Sequence, residues 1–504
     1  RINEIDPKIK LNLNDVNFKL RASDFKFAVK TFDPKISINE KKLEFELIKF
    51  DLDILDYLKK KNPVTKISII SKENNINQLT NFLNEYEYNL QRDIVLKQVK
   101  KGKVKISSDI ILDKNNFNEF KYIINGYISD AEVDLLNQFK LENINFNFKI
   151  KENIINIEQL KLSLNKNLIS SEKLNIKKVK EIYEVDGDLK TIKNKINLYE
   201  YNKITNFNLD ILRDQIVNLS SDNNLSFKIN KKLKISDLNI ESLLSFDELY
   251  TKAKYQDLIY LKNGDIKINY KKNDLKINLD SNFLFTNENY NNDKFKNIFK
   301  FTYTKNKTTN SSVKINLSNK QNIINSKEFS KLLSLKNFNL PNQEIIFGSD
   351  NKITFDLDEQ NKIRNLNIKS KIKTDNVLIN YKSQRIKKYF SDFKNQIKLS
   401  KSIFNFDYNN NNNFELNVKS KYSINDVEDK ILMNIKKENQ NYIFSSKINL
   451  NSAEIQINEL DYIKKINIKS NITVNGVYKE NNEILFKEIK FQEDEKNLLI
   501  KNLE

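Results

Sequence analysis

The sequence predicts a mainly β protein: a long twisted antiparallel sheet of repeated hairpins that curls into an elongated hydrophobic groove, with a few short amphipathic helices. Apolar and polar residues alternate from end to end of the 504 residues, as in strands that have one buried face. Turn-forming residues recur between the alternating runs. The hairpins follow one another without a change in composition, which favours one long sheet over separate closed domains, and sheets of that size twist and curl.

The clearest alternating run begins at Ile144. Apolar side chains recur at every second position as far as Ile150, and a polar turn at 151–153 leads into a second run. After Ile157 the apolar positions change phase and resume at Leu160. A shift of one residue within a strand predicts a β-bulge.

Two further hairpins have the same pattern, with one apolar and one polar face. In the first, Ile266, Ile268 and Tyr270 precede a polar turn, and Leu275, Ile277 and Leu279 follow it. In the second, Phe404, Phe406 and Tyr408 precede the asparagine run Asn409–Asn413, and Phe414, Leu416 and Val418 follow it. The asparagine run is therefore interpreted as a hairpin loop.

Four Asx-Gly pairs predict tight hairpin turns, because both residue types tolerate positive φ; they are Asn125-Gly126, Asp186-Gly187, Asn263-Gly264 and Asn475-Gly476. Four stretches have helical spacing, namely Leu52–Leu58, Ile76–Tyr88, Phe329–Leu335 and Arg385–Lys394. Ser326 is predicted to cap the third helix. Residues 1–130 are predicted as mixed β with short helices, and residues 131–504 as the continuous hairpin groove, together forming one elongated unit.

The composition excludes most catalytic chemistry. The chain has no His, no Cys and six scattered Gly, so it has no Ser-His-Asp triad, thiolate nucleophile, cysteine zinc site or glycine-rich phosphate loop. The carboxylate pairs Asp51/Asp53 and Asp356/Asp358 lack the further ligands and the glycine of a calcium loop. We therefore predict a protein that is not an enzyme, with no catalytic residue, no metal site and no cofactor.

The formal net charge is +19. A nucleic-acid surface concentrates Arg and Lys in one patch with stacking aromatic residues, whereas here the Lys residues are spread evenly among Asp and Glu. We therefore predict no nucleic-acid partner, and a weak preference for anionic lipid headgroups as the milder use of the charge. No apolar stretch reaches the roughly 18 residues of a spanning helix. Since the chain begins at Arg1, a membrane anchor is expected in segments outside it.

Three segments carry a resemblance to a known family: Asp6-Pro7-Lys8 leading into Ile9, Leu11 and Leu13; the run from Gly126 to Glu132; and Tyr389–Lys394 before the Phe404 hairpin. In these segments and in its overall pattern the chain resembles the AsmA-like family of Gram-negative bacteria, in its YhdP/TamB-type branch of bridge-like lipid-transfer proteins. The resemblance implies a long sheet curled around a hydrophobic channel. It also implies phospholipid as cargo, a role in outer-membrane biogenesis, and a periplasmic location with an inner-membrane anchor.

The sequence thus predicts non-enzymatic transport of phospholipid, or another acyl lipid, along a hydrophobic β-groove between the inner and outer membranes. The predicted lining residues are Ile144, Phe146, Phe148, Ile150, Ile266, Ile268, Tyr270, Leu275, Ile277, Leu279, Phe404, Phe406, Tyr408, Phe414, Leu416 and Val418. Alternation alone favours a packed sandwich or β-helix core, and the resemblance together with the missing domain boundaries favours the groove. The other functional class that stays open is a scaffold or assembly factor for outer-membrane proteins, or a surface adhesin, using open sheet edges to bind a client strand. Protein partners in the envelope are left open.

Overall fold

A computed structural model confirms the mainly β fold. Within the residues that it describes, the chain forms 31 strands, 29 of them in one antiparallel sheet, and four short α-helices. The described residues are 9–21, 23, 25–39, 41–59, 61–86, 98–113, 115–116, 119–135, 139–164, 166–198, 215–230, 234–250, 259–286, 289, 291, 294, 296–306, 311–332, 340–360, 362–390, 393–410, 413–424, 428–438, 440–479 and 483–503.

Each of the four helices overlaps a predicted stretch, although the third starts earlier than predicted, at Ser326, and the fourth ends at Tyr389, short of the predicted Lys394. They are α1 (Ile54–Leu58), α2 (Ile76–Tyr86), α3 (Ser326–Leu332) and α4 (Gln384–Tyr389). Helix α1 starts two residues later than predicted, because the Asp53 carboxylate caps it by accepting hydrogen bonds from the amides of Leu55 at 3.0 Å and Asp56 at 3.3 Å. Residues 87–88, 333–335 and 391–392 of the predicted helical stretches lie outside the described residues.

The predicted cap of α3 is wrong. Asn325 Oδ1 accepts a hydrogen bond from the Lys327 amide at 2.9 Å, so Asn325 is the capping residue and Ser326 is the first residue of the helix. The Ser326 hydroxyl instead donates to the Pro341 carbonyl at 2.7 Å and accepts from the Gln343 amide at 3.3 Å. Ser326 therefore ties the helix to the segment that leads into the next strand.

Contacts between residues divide the chain into two compact units. The first comprises Arg1–Ile196, Asn218–Leu244 and Asn269–Lys272, and the second comprises Asn197–Val217, Ser245–Ile268 and Asn273–Glu504. Four strands contribute residues to both units: β13 (Ile182–Asn197), β14 (Ile216–Asn230), β15 (Ile235–Leu249) and β16 (Ile259–Lys271). The predicted change of character at residue 130 stays a prediction.

The first unit contains thirteen strands: β1 (Ile9–Asn12), β2 (Asp15–Arg21), β3 (Lys26–Phe32), β4 (Lys35–Ile38), β5 (Lys41–Asp53), β6 (Val64–Ser71), β7 (Asn74–Asn75), β8 (Val99–Leu112), β9 (Phe120–Leu135), β10 (Phe139–Lys151), β11 (Ile154–Leu164), β12 (Asn167–Val179) and β13 (Ile182–Asn197). Antiparallel pairing runs in the order β2, β3, β5, β6, β8 and then consecutively to β13. Strands β1, β4 and β7 pair alongside this series.

The second unit continues the same construction with β17 (Asp274–Phe285), β18 (Ile298–Lys305), β19 (Ser311–Asn325), β20 (Glu344–Leu357), β21 (Ile363–Asp375), β22 (Val377–Asn380), β23 (Gln396–Tyr408), β24 (Phe414–Ser423), β25 (Glu428–Glu438), β26 (Asn441–Asn449), β27 (Ile455–Ile457), β28 (Tyr462–Lys464), β29 (Ser470–Tyr478), β30 (Ile484–Glu493) and β31 (Lys496–Leu503). These strands pair with their neighbours in chain order, with three exceptions. Both β21 and β22 pair with β23, β26 pairs with β29, and β27 and β28 form a separate two-stranded sheet. The asparagine run joins β23 to β24, as predicted; its residues 411 and 412 lie outside the described residues.

The predicted bulge is confirmed. Asn145 pairs with Lys161 and Asn147 pairs with Glu158, so β11 carries one residue more than β10 between these pairs. Gln159 takes up the extra length in the left-handed region, with φ of 55°. Leu160 consequently packs in the same apolar cluster as Ile157, which explains the change of phase in the sequence.

The four predicted Asx-Gly turns are wrong, because each glycine lies inside a strand, in β9, β13, β16 and β29. These glycines make room for a side chain of the neighbouring strand. A Cβ at Gly126 would lie 2.5 Å from Cζ of Phe148, and a Cβ at Gly476 would lie 2.4 Å from Cζ of Phe444. The observed turns use other residues with positive φ, such as Glu152 at 51°.

Candidate functional site

One face of the first unit is apolar across ten strands. Directly opposed residues on antiparallel neighbours lie on the same face of a sheet, so the strand register identifies the side chains that share it. One such row is Val16, Thr31, Ile48, Ile69, Ser108, Ile124, Ile150, Ile155, Ile176 and Val185. Eight of these ten residues are apolar, so the face is continuous from β2 to β13.

The second unit has a corresponding face across twelve strands. The row is Ser281, Phe299, Leu317, Asn351, Ser370, Phe406, Leu416, Ile435, Phe444, Gly476, Phe486 and Leu503. A parallel row passes through Phe404, Val418 and Met433. We call these two surfaces the apolar face of each unit.

The predicted lining residues lie on these faces wherever the register is described. In β10, Phe146 is opposed by Ile128 and Ile150 by Ile124. In the second unit, Leu279 is joined to Tyr408 through opposed residues of β18, β19, β20 and β21. Residues Ile266, Ile268 and Tyr270 lie at alternate positions of β16. Ile144 is buried, and the other fifteen predicted residues are half-buried.

The sequence analysis missed the contribution of residues 16–112. Strands β2, β3, β5, β6 and β8 extend the apolar face of the first unit as fully as the hairpins that follow. The signal was present in the alternation of Ile48, Phe50 and Leu52 and of the residues around Phe18. It was obscured because α1 and α2 interrupt the strands of this region.

A polar network was also missed within the apolar face of the second unit. Asn351 donates to the Leu317 carbonyl at 3.3 Å and to the Ser349 hydroxyl at 2.9 Å, and it accepts a hydrogen bond from Ser370. The side chain of Asn351 thereby connects three adjacent strands. Because these polar groups satisfy one another, they interrupt this row without leaving an unpaired group toward a ligand. The neighbouring row from Leu279 to Tyr408 continues the apolar face past them.

The same network recurs in the first unit. Asn223 donates to the Leu189 carbonyl at 2.8 Å and to the Ser221 hydroxyl at 2.8 Å, and it accepts from Ser242. The local sequences match as well, since Ser-Asp-Asn at 221–223 recurs as Ser-Asp-Asn at 349–351, each followed two residues later by an alternating apolar run. This short repeat is the signal by which the network could have been predicted.

The opposite face of each unit is charged and internally paired. Glu132 accepts from Lys140 at 3.0 Å and from Lys101 at 3.1 Å, and these hydrogen bonds hold the pKa of Glu132 below its usual range. A shallow concavity of about 1030 Å³ lies on this polar side of the first unit, lined by residues such as Tyr127, Asn147 and Glu158. Phe146, one of the predicted lipid-lining residues, also borders this concavity.

Short elements cover parts of the apolar faces. In the first unit, α2 packs through Leu79 and Phe82 against Leu43, and a small apolar cavity of about 70 Å³ remains between α2 and β5, β6 and β8. In the second unit, Phe329 of α3 lies edge-on to Phe347 with ring centroids 5.6 Å apart. The faces are thus partly covered at these elements and half-exposed along the rows described above.

The carboxylate pairs have structural roles. Asp53 caps α1, and Asp51 forms an ion pair with Lys49 at 2.6 Å. Asp358 closes a turn by accepting from the amides of Lys362 at 2.9 Å and Gln360 at 3.0 Å, and these bonds lower its pKa. Among the described residues, no group of three or more acidic side chains is placed to hold a metal ion.

The fold and the site define a class of protein: an antiparallel β-sheet protein with a half-exposed apolar face on each unit. Among the described strands, β2 pairs only with β3 and β31 pairs only with β30, so each has one open edge. No protein-family model, curated protein or solved structure matches this chain. The resemblance to the AsmA-like family therefore stays a prediction. No helix among the described residues is long and apolar enough to cross a membrane.

Proposed function

We propose that the apolar faces bind lipid acyl chains and that the protein carries phospholipid between the inner and outer membranes without catalysing a reaction. The observation that carries the proposal is the continuity of a half-exposed apolar face over ten strands in one unit and twelve in the other. The route between two membranes, the periplasmic location and the inner-membrane anchor rest on the family resemblance.

The chemistry of the face favours a long apolar ligand. Each methylene group moved from water onto an apolar surface gains about 0.8 kcal/mol, so an acyl chain gains several kcal/mol over its length. Side chains such as Phe406 and Leu416 are half-buried within the protein and retain apolar surface for such a ligand. Because similar rows recur from strand to strand, a bound chain meets similar surroundings along the sheet and is not held in one deep site.

Face-specific substitutions test the proposal. Phe146→Asp, Ile268→Asp and Phe406→Asp together place three charges on the apolar faces. The matched control carries Asn147→Asp, Lys267→Asp and Asn405→Asp, at exposed neighbouring positions of the same strands. Each protein is purified from a bacterial host, and its co-purifying lipid is extracted and counted by mass spectrometry. Far-UV circular dichroism shows that each variant retains its strands, and a milder set with Ser at the three apolar positions replaces any Asp variant that unfolds.

The expected result is several phospholipids per chain in the wild type and the control, with most of that lipid lost from the apolar-face variant. Equal lipid content in the folded apolar-face variant and its control would contradict the proposal. So would a well-folded wild-type chain without lipid.

The edge of β2 supports a second candidate function, the binding of a client strand. All seven residues of β2 are exposed, including Phe18 at 65% and Leu20 at 60%, and β2 pairs only with β3 among the described strands. An open apolar edge can add a strand from another chain. If this is the function, Phe18→Glu with Leu20→Glu abolishes capture of an unfolded outer-membrane protein; unchanged capture would refute it.

A further inference from the structure

The two sides of the sheet in the second unit carry different connections. On one side the strands from β18 onward are joined by short connections of two to five residues, at 306–310, 358–362, 409–413, 439–440 and 479–483. We call this the short-turn side. The connections on the opposite side include α3, α4 and the β27–β28 hairpin. Ligand groups that remain in water therefore meet fewer covering elements on the short-turn side.

Aromatic residues line the apolar face at the short-turn side. Tyr408 is opposed by Phe414, and Tyr442 by Tyr478. Ring centroids are 5.6 Å apart between Phe414 and Tyr442, and 6.0 Å apart between Tyr442 and Tyr478. Tyrosine combines an apolar ring with a polar hydroxyl, which suits the boundary between an acyl chain and water.

A lysine lies within this aromatic row. Lys437 is opposed by Tyr442 on the apolar face, and its ammonium nitrogen is 5.6 Å from the centre of the Tyr442 ring. Its neighbour Lys436, on the polar face, is paired with Glu438 at 2.7 Å. Lys437 has no carboxylate within ion-pair distance among the described residues, so its charge is available to an anionic group at this boundary.

The strip between the aromatic row and the far end of the strands is long enough to hold one acyl chain. From Phe414 to Ser420 the strand advances six residues, or about 20 Å at about 3.3 Å per residue. One leaflet of a bilayer provides about 15 Å, half of the roughly 30 Å hydrocarbon core. At the far end of the strip, the hydroxyls of Ser402 and Ser420 are buried and hydrogen-bonded to each other at 2.7 Å. The strip thus ends in half-buried tyrosines and Lys437 at the short-turn side, and in buried serine hydroxyls at the other.

We propose that phospholipid binds the second unit with its acyl chains parallel to the strands and its phosphate beside Lys437 and the tyrosines of the short-turn side. This inference rests on the proposed function and adds to it the orientation of the lipid and a preference for anionic headgroups. The lipid then lies across the sheet, so that movement along the sheet carries the headgroup past successive short turns.

Tryptophan reporters test the orientation, because the chain contains no Trp. Phe414→Trp places a reporter in the aromatic row, and Ile431→Trp places one opposite Ser420 at the far end of the strip. Phospholipids with a nitroxide on the headgroup, or near the acyl terminus, are added to each variant and fluorescence quenching is measured. The headgroup label is expected to quench Trp at 414 more than Trp at 431, and the acyl-terminal label is expected to do the reverse.

Either label acting equally on both reporters, or the opposite order, would overturn the orientation while leaving lipid binding intact. Absence of quenching by both labels, together with absence of lipid from extracts, would overturn the proposed function as well. The headgroup preference is tested separately with Lys437→Glu and, as a matched charge reversal on the exposed polar face, Lys447→Glu.

Vesicle-derived mixtures of phosphatidylglycerol and phosphatidylethanolamine provide both headgroup charges. Lys437→Glu is expected to lower the bound ratio of anionic to zwitterionic lipid about fivefold, and Lys447→Glu is expected to leave it unchanged. Lys437→Met, which keeps the apolar stem, should lower the ratio by a smaller factor. An unchanged ratio in Lys437→Glu, or an equal fall in Lys447→Glu, would overturn the assignment of Lys437.

Discussion

Replacing Gly264 by alanine tests the packing of an aromatic side chain over a strand glycine. A Cβ at Gly264 would lie 2.2 Å from Cζ and 2.5 Å from Cε1 of Phe246, whereas carbon atoms in contact are about 3.5–4.0 Å apart. Phe246 is 4% exposed, so its ring has no open space to enter. Overpacking of this kind costs about 1–3 kcal/mol, although alanine in a strand would otherwise gain about 0.5–1 kcal/mol over glycine.

A second substitution isolates the cause. Gly264 suits this test because the nearest neighbours of its new Cβ are side chains, which a substitution can shorten. At Gly126, by contrast, a backbone carbonyl oxygen lies 2.4 Å away and no substitution removes it. Phe246→Leu removes the two ring atoms that clash. In that background Ser281 Cβ still lies 2.9 Å from the new Cβ, and this contact offsets the gain of alanine over glycine. Gly264→Ala should then be neutral to within about 0.5 kcal/mol, which gives a coupling energy of about 0.5–2 kcal/mol in a double-mutant cycle.

Hydrogen–deuterium exchange of peptides from β15 and β16 measures the loss of stability around Gly264. A local measurement is needed because a long sheet need not unfold in one step. After the gain of alanine over glycine, the net loss is about 0.5–2 kcal/mol, which corresponds to exchange about 2- to 30-fold faster in Gly264→Ala. Lys267→Ala, exposed on the same strand, serves as the control and should exchange at the wild-type rate. Wild-type rates in Gly264→Ala, or an equal acceleration in the Phe246→Leu background, would refute the packing argument.

Three further predictions concern polar groups within the sheet. Lys464 is fully buried and donates to the carbonyls of Leu450, Asn451 and Ala453 at 2.5, 3.1 and 2.6 Å. Lys464→Met should therefore destabilise residues 450–469 by about 1–3 kcal/mol, measured as faster hydrogen–deuterium exchange of these residues. Unchanged exchange would contradict this role of Lys464 and show that the carbonyls find other donors. Asn351→Ala and Asn223→Ala should each cost about 1–3 kcal/mol in their own unit, and a loss in only one unit would contradict the equivalence of the two networks. Burial opposes ionisation of Asp188, but hydrogen bonds from the amides of Glu172 and Lys173 outweigh it and hold the pKa of Asp188 below the ordinary value. The ionised Asp188 therefore contributes its full stabilisation above the unfolded pKa of about 3.9, and this stabilisation is lost as the pH falls through the lower folded pKa. Below pH 4 the thermal unfolding midpoint should fall less steeply with pH in Asp188→Asn than in the wild type. An identical pH dependence in the two proteins would contradict a stabilising role of the Asp188 carboxylate.

Most of the fold was predictable because strand alternation has a period of two residues and is visible in any single run. The hairpin around Phe406 follows directly from that period, and the bulge at Gln159 was predictable because the phase of the apolar residues changes there. Bulges at residues such as Asn143 were not predictable. A polar residue with positive φ inside a strand resembles a turn residue when only its neighbours in sequence are considered.

The Asx-Gly pairs show why the remaining features needed the structure. Glycine is suited both to a tight turn and to a position beneath a ring, and the choice depends on a partner from another strand. For Gly126 that partner is Phe148, which follows 22 residues later in the chain. The aromatic row with Lys437 is likewise assembled from five strands, so no local pattern identifies it.

The central claim is that the apolar faces hold lipid, and native mass spectrometry of the purified wild-type chain tests it most directly. The account predicts a ladder of masses above the 59.6 kDa chain, spaced by phospholipid and reaching several lipids per chain, with the same phospholipids recovered on denaturation. A single folded species at the mass of the bare chain, unchanged after incubation with phospholipid vesicles, would contradict it.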